Sequence, residues 1–260
     1  MDVTGGLRLA LREAGIGAPV VLLHGLFGHA GNFGAITRRL AERHRVLALD
    51  LRNHGASPHA TPMTYPAMAA DVVTTLDALG IRQVALVGHS MGGKVAMLMA
   101  QAAPERVARL CVVDIAPRAY PPAFGVYADA MAAIPLRPGL ARAEADAAMA
   151  RSVPQPAVRA FLLQNLRLDT DRPTWRINLA VVAAALPSIS AWVPPEVPAY
   201  AGPTLFLAGE RSDYITAADR PAIERRFPNA RIAGVPGTGH WVHAEAGEAF
   251  LAALLPFLDG

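Results

Sequence analysis

Gln83-Val84-Ala85-Leu86-Val87, followed at once by Gly88-His89-Ser90-Met91-Gly92-Gly93, is the stretch that decides how this chain folds. An aliphatic run of strand length ends in a serine set between glycines. The next segment, Val95-Ala96-Met97-Leu98-Met99-Ala100, forms helix readily, and Pro104 closes it. A strand that becomes a helix over so few residues leaves no space for side chains two positions before and after the serine, and Gly88 and Gly92 meet that demand. The turn holds Ser90 at a strained backbone angle with its hydroxyl above the sheet, the geometry of a nucleophile elbow. The Met91 N–H, at the positive start of the helix, then faces the place where charge would gather on a carbonyl oxygen under attack. G-x-S-x-G arises by chance in a chain with 22 glycines. Strand, motif and helix in this order give it meaning.

Outward from the elbow, strands alternate with helices, as in a mostly parallel sheet with helices on both faces. Residues 19–23, 46–49, 84–87 and 110–113 are continuous apolar runs suited to central strands buried on both faces. Residues 7–12 alternate polar and apolar like an edge strand, and 204–208 and 231–235 read as the last two strands. Helices are expected over 32–43, 67–79, 91–103, 219–227 and 245–258. Between Pro117 and Gly202 the strand pattern stops and an Ala-, Arg- and Pro-rich region takes over. The expected organisation is an α/β core of residues 1–117 and 202–260 with a small helical lid inserted at 118–201. Most of the lid aromatics, Tyr120, Phe124, Tyr127, Phe161, Trp175 and Trp192, should simply hold it to the core.

At 260 residues and 53% hydrophobic, the chain buries one sizeable core. Its net charge of +3 comes from arginines scattered without a basic block, which disfavours a nucleic-acid partner. Cys111, the single cysteine, lies in an apolar run and reads as a small buried hydrophobe. The N-terminal Met1-Asp2-Val3-Thr4-Gly5-Gly6 has neither a basic start nor an apolar signal stretch. No segment reaches the roughly 18 apolar residues of a membrane span, so the expected location is the cytoplasm, with no membrane partner. Lys94 is the only lysine among 24 basic residues. It is expected at the surface or in a local salt bridge, with binding of an acidic substrate group as the alternative.

A serine is a weak nucleophile at neutral pH unless a base takes its proton. Gly237-Thr238-Gly239-His240-Trp241 follows the final strand and brings His240 to the sheet's C-terminal edge, where sites in such folds gather. His243, at the start of the terminal helix, is the main competitor. His24, His54 and His89 are expected to brace loops. The second oxyanion donor should come from the loop after the first central strand, His24-Gly25-Leu26-Phe27-Gly28, with Leu26 N–H the first choice and Phe27 N–H the second. Phe27, Trp175 and Trp241 are the candidates for substrate contact. The carboxylate that orients the histidine has two candidates, Asp114 in Val113-Asp114-Ile115-Ala116-Pro117 and Asp213 in Gly209-Glu210-Arg211-Ser212-Asp213. No H-E-x-x-H or similar ligand spacing is present, so no metal is expected.

Together with Asp50-Leu51-Arg52-Asn53-His54-Gly55-Ala56-Ser57 and Gly239-His240-Trp241-Val242-His243-Ala244-Glu245, these motifs resemble those of α/β-hydrolases. More narrowly they resemble the branch of the α/β-hydrolase domain-containing protein 11 group and its bacterial short esterases. The lid segment Trp175-Arg176-Ile177-Asn178-Leu179 carries the likeness into the insertion. The resemblance implies hydrolysis of carboxylic esters or acyl thioesters without a cofactor, under a small helical lid. The expected enzyme cleaves small-molecule esters of short to medium chain through an acyl-enzyme, as a monomer or homodimer. The resemblance also favours Asp114. Fold members that carry the acid after the penultimate strand usually place it three residues beyond the glycine, where this chain has Ser212, and this branch carries the Asp-Ile-Ala-Pro element instead. The same residues would serve a carbon–carbon bond hydrolase, a lactonase or a perhydrolase, and a ligand-binding receptor can retain them.

Overall fold

The computed structural model describes residues 5–192 and 196–260; residues 1–4 of the N-terminal stretch and 193–195 of the expected insertion lie outside them. The chain opens with β1 (Leu11–Ala14) and β2 (Ala18–Leu23), then α1 (Gly34–Leu40), β3 (His44–Leu49), α2 (Tyr65–Ala78), β4 (Val84–His89), α3 (Met91–Ala102) and β5 (Val107–Val113). The region that follows holds α4 (Gly125–Ala132), α5 (Arg142–Met149), α6 (Pro156–Leu163), a two-stranded ribbon β6 (Leu166–Arg167) and β7 (Thr174–Trp175), and α7 (Leu179–Ala191). The core resumes with β8 (Thr204–Gly209), α8 (Arg220–Arg226), β9 (Ala230–Val235), α9 (Val242–Glu245) and α10 (Gly247–Asp259).

Seven strands form one sheet in the order β1-β3-β2-β4-β5-β8-β9, parallel except for β1. Val20 to Leu23, Leu86 to Val87 and Leu110 to Val113 are fully buried, because helices cover both faces and parallel strands with their crossovers bury both sides. One apolar cluster lies on the α2 and α3 face and continues into α4 to α7. The other lies under α1 and α10. The strand order reverses direction between β2 and β4. At such a point the connections leave on opposite faces and a crevice opens beyond the carboxyl ends of the strands. The loop after β2 and the elbow after β4 both empty into it.

The edge strand differs from expectation. β1 begins at Leu11, not Leu7. The apolar alternation of residues 7–12 is real, but the Leu7 and Leu9 N–H groups are donated to the side chains of Asp71 and Thr75 on α2. Alternation reports which side chains are buried, and says nothing of what the backbone bonds to. The expected terminal helix is also two pieces, α9 and α10, with Ala246 between them in a non-helical conformation (φ −142°, ψ 64°).

The loop after β3 is locked by charge. The Arg52 guanidinium meets the Asp71 carboxylate with two bonds of 2.6 Å, and both residues are buried. Such a pair offsets its desolvation only through good geometry and extra bonds. The Leu7 N–H at 2.6 Å and the Ala67 carbonyl at 3.2 Å supply them.

Candidate active site

The elbow is as tight as the motif requires. A Cβ on Gly88 would lie 2.3 Å from the Gly92 carbonyl oxygen, and one on Gly92 would lie 2.4 Å from that of Leu23. Neither distance is attainable for a side chain, so only glycine permits this crossing of strand and helix. Ser90 has φ 54° and ψ −117°, a costly conformation for a residue with a Cβ. Asp114 has φ 51°. Each follows directly on the C-terminal end of a central strand, and β4 and β5 are neighbours in the sheet.

His240, in the loop between β9 and α9, closes the arrangement. Its Nε2 is 3.0 Å from the Ser90 hydroxyl oxygen and its Nδ1 2.7 Å from Asp114 Oδ2. Asp114 is fully buried, accepts the Gly209 N–H at 2.9 Å, and also accepts the hydroxyl of Ser212. The Tyr214 ring stacks on His240 at 3.9 Å. The loop after β8 therefore brings Ser212, not Asp213, to the carboxylate. Asp213 is exposed, and only its backbone carbonyl is engaged, by Arg118. Sequence reasoning missed Ser212 as a partner. The signal was present in its position three residues beyond Gly209.

Three further histidines hold the surrounding loops. His24 Nε2 accepts the Leu51 N–H at 3.0 Å while its Nδ1 lies 2.8 Å from the Gly25 carbonyl. His54 Nε2 accepts the Phe27 N–H at 3.3 Å and its Nδ1 lies 2.9 Å from the Arg52 carbonyl. His89 Nε2 lies 2.8 Å from the His240 carbonyl. Burial dominates their acidity: it lowers His24 to about 4 and His54 to about 3, and holds His89 well below the usual imidazole range. His243 packs against His89 and Phe33, and burial brings it to about 4. It does not touch Ser90.

The bond from Phe27 to His54 separates the two oxyanion candidates. Phe27 has already committed its N–H, whereas those of Leu26 and Met91 are donated to no acceptor among the described residues. The first turn of α3 leaves the Met91 donor free.

Two cavities meet at Ser90. The larger is lined by Leu26, Phe27, Phe124, Tyr127, Phe161 and Trp241 along with His240. The smaller is lined by Ser90, Met91, Lys94, Tyr120, Phe124 and Tyr214. Phe27 and Trp241 thus face the larger space. Trp175 lines neither. It is bonded to Leu166 in the ribbon and half-buried against the core. The ribbon end reaches the site instead through Asn165, whose amide donates to the Phe27 carbonyl at 2.8 Å.

Lys94 also departs from expectation. It is 2% exposed and has no carboxylate partner among the described residues. The surface or salt-bridge reading fails because the helix turn after the elbow points inward, beneath Tyr120 and Trp192.

A doubly wound sheet with a serine elbow, a histidine beyond the last strand and a helical insertion defines a class. The chain belongs to the α/β hydrolase fold family, which matches residues 18–247. Among its relatives is the sn-1-specific diacylglycerol lipase ABHD11 of Xenopus laevis, 43% identical over 252 residues that cover 94% of this chain and 80% of that one. The esterase YbfF of Escherichia coli is 38% identical, covering 93% of each. A solved marine microorganism esterase superposes with a TM-score of 0.94 at 35% identity, over 97% of this chain and 100% of that one. Among the described residues no helix is long and apolar enough to cross a membrane.

Proposed function

We propose that this protein is a serine hydrolase that cleaves carboxylic esters, with acyl thioesters as a second substrate, through an acyl-enzyme. The observation that carries the reading is the unbroken hydrogen-bonded chain from Ser90 through His240 to buried Asp114, opening on two apolar cavities. Ser90 Oγ attacks the ester carbonyl while His240 Nε2 takes its proton. Asp114 holds the proton on Nδ1 and stabilises the imidazolium. The N–H groups of Leu26 and Met91 receive the oxyanion. His240 then protonates the departing alcohol. Water enters, His240 removes its proton, and the second tetrahedral intermediate releases the acid and free Ser90.

The leaving oxygen must face His240 Nε2 to be protonated, so the alcohol half occupies the larger cavity, which His240 lines. The acyl half extends past Met91 into the smaller one. That space suits short to medium chains. The insertion at 118–201 acts as the lid, supplying Phe124 to both cavities and Tyr127 and Phe161 to the larger one.

The test is hydrolysis of p-nitrophenyl esters from two to sixteen acyl carbons, alongside acyl-coenzyme A thioesters, with Ser90→Ala as the blank. A serine-dependent optimum at short to medium chains is expected, together with labelling of Ser90 by a fluorophosphonate. Equal rates for enzyme and blank with no labelling would overturn the reading in favour of a binding protein.

Ser212 is a positioning residue in this scheme, since its hydroxyl holds Asp114 and touches no substrate. Ser212→Ala removes one charge-assisted bond and is expected to lower kcat about tenfold with KM little changed. Ser212→Thr, which keeps the hydroxyl, should restore kcat. Failure of that rescue would assign Ser212 to loop structure alone.

A further inference from the structure

The chain uses arginine at every basic position but one, and the exception lies inside the active-site region. Lys94 is on α3, one helical turn from Ser90, and its N–H donates to the Ser90 carbonyl at 3.1 Å. Residues four apart share a helix face and are offset by about 6 Å along the axis. The ammonium is enclosed by aromatic rings from three separate parts of the fold. Tyr120 lies 4.7 Å away, Trp192 5.2 Å and Tyr65 5.7 Å, each measured to the ring centre. Rings at these distances attract a cation through their negative faces but accept no strong hydrogen bond. Among the described residues nothing else receives the three ammonium protons. A buried charge without a partner is expensive, and the cavity this one lines also contains Ser90 and Met91.

We propose that Lys94 is an anion subsite at the far end of the acyl cavity, and that the preferred substrates are esters whose acyl half ends in a carboxylate, monoesters of four- to six-carbon dicarboxylic acids. The inference rests on the serine-esterase reading, and names the acyl group that reading leaves open. The carboxylate completes the ammonium's hydrogen bonds while its short methylene chain lies against Met91, Phe124 and Ile115, which line the same space.

The charged groups around Lys94 agree with that role. From the loop after β5, Arg118 adds positive charge and is itself paired with Asp219 at 2.6 Å. Tyr65 on α2, Tyr120 on that loop and Tyr214 beyond β8 are all pushed upward by burial, so they stay neutral. Asp114 is committed to His240, Gly209 and Ser212. Burial, with a smaller contribution from Arg118, lowers Lys94 to about 7. The empty subsite is therefore charged below about pH 7 and loses its proton above it, and preference for an anionic acyl group should fall as pH rises through neutrality.

The experiment compares kcat/KM for monoethyl glutarate with that for ethyl valerate, which has the same chain with a methyl in place of the carboxylate. In the unaltered protein the glutarate-to-valerate ratio is expected to exceed one at pH 6 and to fall at least tenfold by pH 9. Taking the ratio cancels every pH effect that the two esters share. In Lys94→Met the ratio is expected to drop about 10- to 100-fold, the worth of a bond between two charged groups. A ratio below one at pH 6 in the unaltered protein overturns the inference whether or not the variant folds, and so does a ratio that Lys94→Met leaves unchanged. Hydrolysis of neither ester, with no fluorophosphonate labelling, would instead overturn the esterase reading itself.

Discussion

Asp114→Asn lowers kcat by about three to four orders of magnitude, and Asp213→Asn leaves it within a factor of two or so of the parent. The asymmetry follows from what each carboxylate faces. Asp114 is wholly buried between a ring N–H, a backbone N–H and a hydroxyl. An asparagine there presents an amide N–H₂ to at least one of these donors. If the amide turns its N–H₂ to His240, the imidazole must carry its proton on Nε2, facing Ser90, and cannot act as base. If it turns its oxygen to His240, the N–H₂ opposes the Gly209 N–H on the other side, and the imidazolium loses its countercharge either way. Asp213 is exposed and its side chain touches none of these groups. Turnover of p-nitrophenyl butyrate, with circular dichroism to establish that both variants fold, settles the matter. A large loss in Asp213→Asn with a small one in Asp114→Asn would transfer the role.

The second large effect is acid lability. His24, His54, His89 and His243 are buried in the neutral form, with burial the main cause and neighbouring imidazoles adding to it. His24 and His54 are each wedged between a carbonyl and an N–H. A second proton would set ring N–H against backbone N–H. Their native affinity for protons lies below that of the unfolded chain, near 6.5, so between these values the unfolded state binds more protons. Stability is therefore fully present above about pH 6.5 and is lost as pH falls toward about 4. Each imidazole contributes a slope of up to roughly 1.4 kcal/mol per pH unit, and the four together on the order of 5. Urea unfolding at half-unit steps from pH 7 to 4.5 should trace this fall. His54→Gln, whose amide can keep both backbone partners without titrating, should flatten it by about a quarter. A stability that holds constant down to pH 4.5 would be incompatible with four neutral buried imidazoles.

The elbow was legible from the sequence because its constraint is local. Two glycines and a strand-to-helix switch are all written within a dozen residues. His240 was legible because the last strand delivers it, and the histidine that the structure brings to Ser90 is the one expected. The acid was harder. Asp114 and Asp213 both follow strands, and spacing alone could not rank them. The ranking came from the resemblance, and the physical reason emerges only where Ser212 meets Asp114. Lys94 was illegible for a different reason: Tyr65, Tyr120 and Trp192 belong to three elements spread over half the chain, so nothing near Lys94 in sequence announces a cage. Trp175 failed in the opposite way. Its aromatic bulk predicts burial, but direction depends on a two-residue ribbon whose pairing no periodicity encodes.

The position of Asp114 on the strand beside the nucleophile's own has a consequence for the loop after β8. In this chain that loop presents a hydroxyl and an aromatic ring to the site, and the negative charge comes from elsewhere. A genome survey that demands the acid three residues beyond the penultimate strand's glycine would file such chains as degenerate enzymes, and one that accepts any acid in the loop would choose Asp213. Ser212 holds Asp114, but the loop carries no charge that the proposed mechanism needs, so drift or laboratory recombination can reshape the rim around Tyr214.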